Sequence, residues 1–136
     1  MGYPDPPDAP LRASVERLIG DPATDYLLGA PAGADDTADP AAAGVCQLRY
    51  RHSVWTGADD CWLEDLYVTD AARGTGLGRA LVEAAFARAT ERGCVRIQLD
   101  VNTANPRAHG LYEALGFSSW EEPPGGDKLL MGRRLA

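Results

Sequence analysis

Three glycines at alternate positions, Gly74, Gly76 and Gly78, separate a strand-like run from a helix-like one. Upstream lies Cys61–Val68, apolar and aromatic in the manner of a β-strand. Downstream, Gly78 to Arg92 sets Leu81, Val82, Ala85, Phe86 and Ala89 on one helical face, and Gly93 stops the pattern. Glycines there let the backbone approach a ligand and point successive N–H groups at it. The helix N-terminus adds unpaired donors and a favourable dipole. The segment therefore suits a pyrophosphate, with Arg73 beside it for a charge-assisted contact. The same pattern also fits a glycine-rich turn that only begins a helix. A Walker loop is excluded, because no lysine follows the glycines. A dinucleotide fingerprint fails in both registers, since its sixth position is Arg79 or Leu81.

The surrounding pattern completes an α/β chain. Leu11, Val15, Leu18 and Ile19 share a helical face that ends at Gly20-Asp21-Pro22. Asp25–Leu28 reads as a short strand, and 29–44, poor in large apolar groups, as a mobile loop. Val45–Val54 and Cys61–Val68 form an antiparallel hairpin around a turn at 56–60. Val95–Val101 alternates as a strand. Asn105-Pro106 caps a helix that runs to Leu115 and stops at Gly116. Phe117–Trp120 and Lys128–Leu135 suggest a closing strand pair. A helix between two strands implies a right-handed parallel crossover, hence a mixed sheet.

The chain's 136 residues suit one domain, 1–136. Acidity is concentrated early: residues 1–44 carry eight acids and two bases, the rest twelve and eleven. No basic face invites nucleic acid. No apolar run spans a bilayer, and the start lacks the pattern of a secretory signal, so a cytoplasmic location is expected and no membrane partner. The three cysteines, Cys46, Cys61 and Cys94, have no metal spacing and read as small buried hydrophobes. No metal is expected. His52 and His109 stand outside any ligand cluster, and Trp55, Trp62 and Trp120 read as core or interface packing residues, with walls of an acceptor site as the alternative.

Arg73-Gly74-Thr75-Gly76-Leu77-Gly78 matches [QR]-x-x-G-x-[GA], and Asn105 to Phe117 matches N-x-x-A-x-x-L-Y-x-x-x-G-F. The pair, in this order, resembles the GNAT N-acetyltransferase family. The resemblance covers about Val45 to Phe117. Trp62-Leu63-Glu64-Asp65-Leu66-Tyr67-Val68 is similar to the matching strand of spermidine/spermine and related small-amine acetyltransferases.

The resemblance implies a mostly antiparallel central sheet with flanking helices and a direct transfer of acetyl from acetyl-CoA to an amine. It implies that the strand before the glycine loop splays from the next one and that the pantetheine arm pairs with backbone near Leu66, Tyr67 and Val68. The cofactor set continues through Arg73, Gly74, Thr75, Gly76, Leu77, Gly78 and Arg79 to Asn105 and Ala108, Asn105 also acting as a helix cap. Tyr112 matches the general acid, a phenol of pKa near ~10 able to protonate a thiolate. Glu64 is the candidate that binds the amine or takes its proton. Its neighbour Asp65 is expected on the opposite face, so that only one of the two meets the substrate. The family's first strand and first helix have no counterpart here, which leaves a sheet edge to be covered by the 29–44 loop or by a second copy in a homodimer. The acceptor is a small polyamine-like amine or a peptide amine. The other class of function is a non-catalytic module that binds acetyl-CoA and answers to a partner.

Overall fold

The computed structural model describes residues 8–31, 41–119 and 131–135. They form two compact units that divide after Asn102. The first holds helix α1 (Asp8–Ile19), strands β1 (Thr24–Gly29), β2 (Gly44–Ser53) and β3 (Ala58–Val68), a 3-10 turn (Asp70–Ala72), helix α2 (Leu77–Glu91) and strand β4 (Ile97–Gln98). The sheet order is β1-β2-β3-β4. The first three strands pair antiparallel and β4 joins β3 in parallel. This is the mixed, mostly antiparallel sheet that the sequence implied.

One face of the sheet carries α2. Cys46 and Leu48 of β2 and Cys61 and Leu63 of β3 meet Leu81, Val82, Ala85 and Ala89 of the helix in the buried core. Each large apolar side chain fully buried there contributes about 1.5–3 kcal/mol.

Two glycines set how closely the helix sits. Gly29 and Gly44 are cross-strand partners. A Cβ on Gly29 would lie 2.7 Å from Leu77 Cδ1, and one on Gly44 2.9 Å from Leu81 Cδ1. The start of α2 thus rests where side chains are missing. The expected loop 29–44 is corrected at both ends, because Gly29 and Gly44 close the strand ladder. Residues 32–40 lie outside the described residues. The Ala43 amide donates to Gly29 O at 2.7 Å, and the Thr69 amide to Ala43 O at 2.9 Å, so the ends of β1, β2 and β3 are tied together.

The far end of α2 is fixed by charge. Asp25 Oδ2 accepts from Tyr50 Oη at 2.7 Å and from Arg88 Nε at 2.7 Å. The Arg92 guanidinium lies 3.8 Å from the Tyr50 ring centroid and donates to Pro22 O at 2.9 Å. On α1, Val15 and Leu18 are half-buried while Leu11 and Ile19 are exposed, so the helix uses only half of its expected apolar face.

The expected strand Val95–Val101 shrinks to Ile97–Gln98. Its pairing ends at Cys61↔Ile97 and Trp62↔Gln98. Alternation persists beyond Gln98, but β3 offers it no further partner.

In the second unit, α3 spans Pro106–Ala114. Asn105 Oδ1 accepts from the Ala108 amide at 3.2 Å, which is the expected cap. Gly116, at φ 93°, ends the helix. The expected closing strands are not seen at 117–119 or 131–135, and 120–130 lie outside the described residues.

Candidate active site

The glycine loop has the backbone its sequence demanded. Gly74 and Gly76 have φ of 78° and 87°, a region that other residues rarely enter. Gly76 is the N-cap of α2, and no side chain caps that helix. The first-turn amides of Leu77, Gly78 and Arg79 are therefore left to solvent or a ligand. A Cβ on Gly74 or Gly76 would meet nothing within 4 Å, so the hollow is open on that side. Thr75 Oγ1 donates back to Ala72 O and stiffens the entry.

The two arginines are engaged along the surface. Arg73 pairs with Asp70 at 2.8 Å, and its Nε donates to Val68 O at 3.4 Å. Arg79 pairs with Glu83 at 3.1 Å. Both contacts are exposed, hence weak and readily exchanged.

Upstream of the loop, β3 leaves β4. Among the described residues, nothing in the sheet pairs with β3 on that side after Trp62. The Thr69–Ala43 hydrogen bond fixes which amides face which way. Residue 69 bonds toward β2, so by alternation 67 does too, while Leu66 turns its N–H and C=O groups and Val68 its N–H to the vacant edge, the Val68 C=O being met by Arg73. Tyr67 lies between them and is exposed.

Glu64 occupies a bulge. The register runs Gln47↔Asp65 and then Leu48↔Leu63, which leaves Glu64 without an opposite residue. Leu63 and Leu66, three positions apart, pair with Leu48 and Cys46 of the α2-facing core. Glu64 and Asp65 consequently both lie on the side away from α2. This corrects the expectation that the two carboxylates point to opposite faces, since a bulge sets two residues of one strand against one of the other. The signal was in the sequence: Leu63 and Leu66 break the period of two. Glu64 is exposed, and Asp65 is half-buried, its carboxyl raised above the usual range by burial.

The thiols offer no nucleophile. Burial pushes Cys46 and Cys61 up to about 12 and raises Cys94 as well. His52 lies 3.4 Å from Asp59 and His109 2.9 Å from Glu113. Among the described residues no group of side chains is placed to hold a metal ion, and no helix is long and apolar enough to cross a membrane.

In the second unit, Tyr112 is buried and its ring meets Phe117 edge-on, with centroids 5.6 Å apart at 72°. Ala108 is half-buried one turn earlier. The glycine seats at 29 and 44 have no signal in the sequence, where both look like loop residues.

The chain is 34% identical over 86 residues to the thialysine N-epsilon-acetyltransferase of Bos taurus, covering 63% of this chain and 50% of that protein. It is 43% identical over 72 residues to the mycothiol acetyltransferase of Thermobispora bispora, covering 51% of this chain and 24% of that one. The chain thus spans half or less of these relatives' lengths. A solved aminoglycoside N-acetyltransferase in complex with CoA superposes with a TM-score of 0.71 at 22% identity, over 94% of this chain and 78% of its own, a likeness of fold alone. The model of the GNAT acetyltransferase family matches residues 3–117, across both units, and the chain belongs to that family.

Proposed function

We propose that this chain transfers the acetyl group of acetyl-CoA to a primary amine by direct attack. The observation that carries the reading is β3 leaving its neighbour and running into an uncapped helix through two left-handed glycines. The amides of Gly74, Gly76 and Gly78 and the first turn of α2 bind the pyrophosphate of acetyl-CoA. Arg73 exchanges Asp70 for a phosphate oxygen. The free edge at Leu66 and Val68 holds the extended pantetheine arm as an added strand would be held.

Glu64 binds the acceptor ammonium and takes its proton through water, which frees the nitrogen lone pair. The nitrogen bonds to the thioester carbon, the carbon–sulfur bond breaks, Tyr112 protonates the departing thiolate, and the proton still surplus on the acylated nitrogen passes through solvent to the tyrosinate, leaving a neutral amide. The assignment of Tyr112 rests on the second motif, and that of Glu64 on the first motif's strand. The relatives named above carry acetyltransferase names for thialysine and mycothiol, which supports an amine acceptor.

The test is Gly76→Val. A side chain at φ 87° is strained and fills the hollow. The variant is expected to fold and to bind CoA at least tenfold more weakly by calorimetry. An unchanged CoA affinity in a folded variant would overturn the assignment of the loop.

A further inference from the structure

Helix α1 turns one stripe toward the sheet. Ser14, Arg17, Leu18 and Asp21, three or four residues apart, line a cleft of about 450 Å³ together with Arg49 of β2. Arg49 projects from the face away from α2, because its neighbours point the other way: Leu48 is buried in the α2 core and Tyr50 meets Arg92. Two elements thus bring two guanidinium groups to one hollow.

The charges there do not cancel. Asp21 is the one carboxylate of the lining. Its oxygens already hold the turn after α1: Oδ1 accepts from the Ala23 amide at 2.9 Å and Oδ2 from Thr24 Oγ1 at 3.3 Å. Arg49 comes no nearer to it than 4.0 Å, and its side chain stays 42% exposed. Arg17 makes no ion pair or side-chain hydrogen bond among the described residues. It belongs to the acidic end of the chain, where residues 1–44 carry eight acids and two bases, yet it lines a cleft with a second arginine.

Like charges brought together raise each other's energy unless an anion comes between them. A guanidinium receives a carboxylate or a phosphate through paired N–H donors. The volume suits a small organic ligand better than a bare ion, and Leu18 gives the cleft an apolar side. The glycine loop is a separate place. It adjoins Leu77, over Gly29 and Gly44, whereas Arg49 lies on the opposite face and pairs with Thr24 at the other end of β1, roughly 17 Å along the strand from Gly44.

We propose that Arg17 and Arg49 form a second anion site, distinct from the glycine loop, which takes the carboxylate or phosphate group of a small organic molecule and lays its carbon skeleton against Leu18. One arginine comes from α1 and the other from β2, so the bound anion ties the helix to the sheet. Helix α1 otherwise uses only half of its apolar face, and the ligand stabilises its docked position by mass action. The site does not depend on the acetyl-transfer reading.

The experiment is an NMR titration of the full chain at fixed ionic strength, with and without CoA, following the Nε–H resonances of Arg17 and Arg49. The probes are 3-methylbutanoate and isobutyl phosphate, which carry the two oxyanions on similar carbon bodies, inorganic phosphate as the bare ion, and 3-methylbutanol as the body without charge. Both resonances are expected to move saturably, with one Kd and regardless of CoA, for at least one organic anion, and the tighter of the two identifies the oxyanion. The alcohol is expected to move neither. Arg17→Gln and Arg49→Gln should each weaken that binding by about tenfold and leave CoA affinity unchanged. The site is overturned by the absence of a saturable shift with either organic anion, by displacement of the anion on adding CoA, or by wild-type affinity in Arg17→Gln. Inorganic phosphate binding as tightly as the organic anions overturns the organic ligand. Arg17 is exposed on α1, so its variant decides the matter even if Arg49→Gln unfolds.

Discussion

Tyr112 is buried against Phe117 on a short helix, so loss of its hydroxyl leaves the ring packing in place. Tyr112→Phe is therefore expected to fold and to bind CoA as wild type does. Its turnover should fall by about 10²–10⁴-fold, the usual range for a lost general acid. Matching rates for the two proteins from pH 6 to 9 would assign the proton to water or another group. At this scale the sequence was legible where chemistry fixes a residue type. Gly74 and Gly76 could be read as left-handed, and Asn105 as a cap, because few residues tolerate those roles. Gln47 was not legible. A glutamine in an alternating strand carries no mark of burial, and only the assembled sheet shows that it is enclosed.

Helix α2 shows how an element is positioned by what its neighbours lack. Leu77 and Leu81 occupy the space over Gly29 and Gly44. Gly29→Ala should push Leu77 off the sheet, cost about 1–3 kcal/mol by urea unfolding and weaken CoA binding through the displaced glycine loop. Leu77→Ala in the same chain should restore much of both, since it removes the atom that the new methyl meets. No rescue in the double variant would mean that the glycines serve the backbone and not the helix seat. Element types were mostly legible from period, as with the hairpin and both long helices. Their limits were not, because Gly29 and Gly44 look like loop residues until a helix is laid across them. The strand at Val95–Val101 kept its alternation but lost its partner, and pairing is a property of the neighbour as much as of the segment.

For the first unit as a whole, α2 is held at one end by shape and at the other by charge. Burial alone raises the Asp25 carboxyl, but the Tyr50 hydroxyl and the Arg88 and Arg92 guanidinium groups outweigh it and leave its pKa below the usual 3.8. A carboxylate depressed in the folded state stabilises the fold above its unfolded pKa, and that contribution disappears as pH falls through the folded one. The protein should accordingly lose stability as pH drops below about 4. Asp25→Asn should unfold at lower urea at pH 7, yet lose less of its remaining stability on acidification. Parallel acid slopes for the two proteins would show that other carboxylates govern the transition. The mixed sheet was legible from element order and from the motifs. The bulge was hidden, because one surplus residue leaves composition and hydropathy almost unchanged, and it also changes what mutation can reach. Without Glu64, Leu63, Asp65 and Leu66 would alternate as a regular strand, and each would keep its present partner. Loss of a single in-frame codon would thus halve the carboxylate pair and leave the core sequence untouched. On the proposed mechanism, a single codon therefore separates two acceptor preferences.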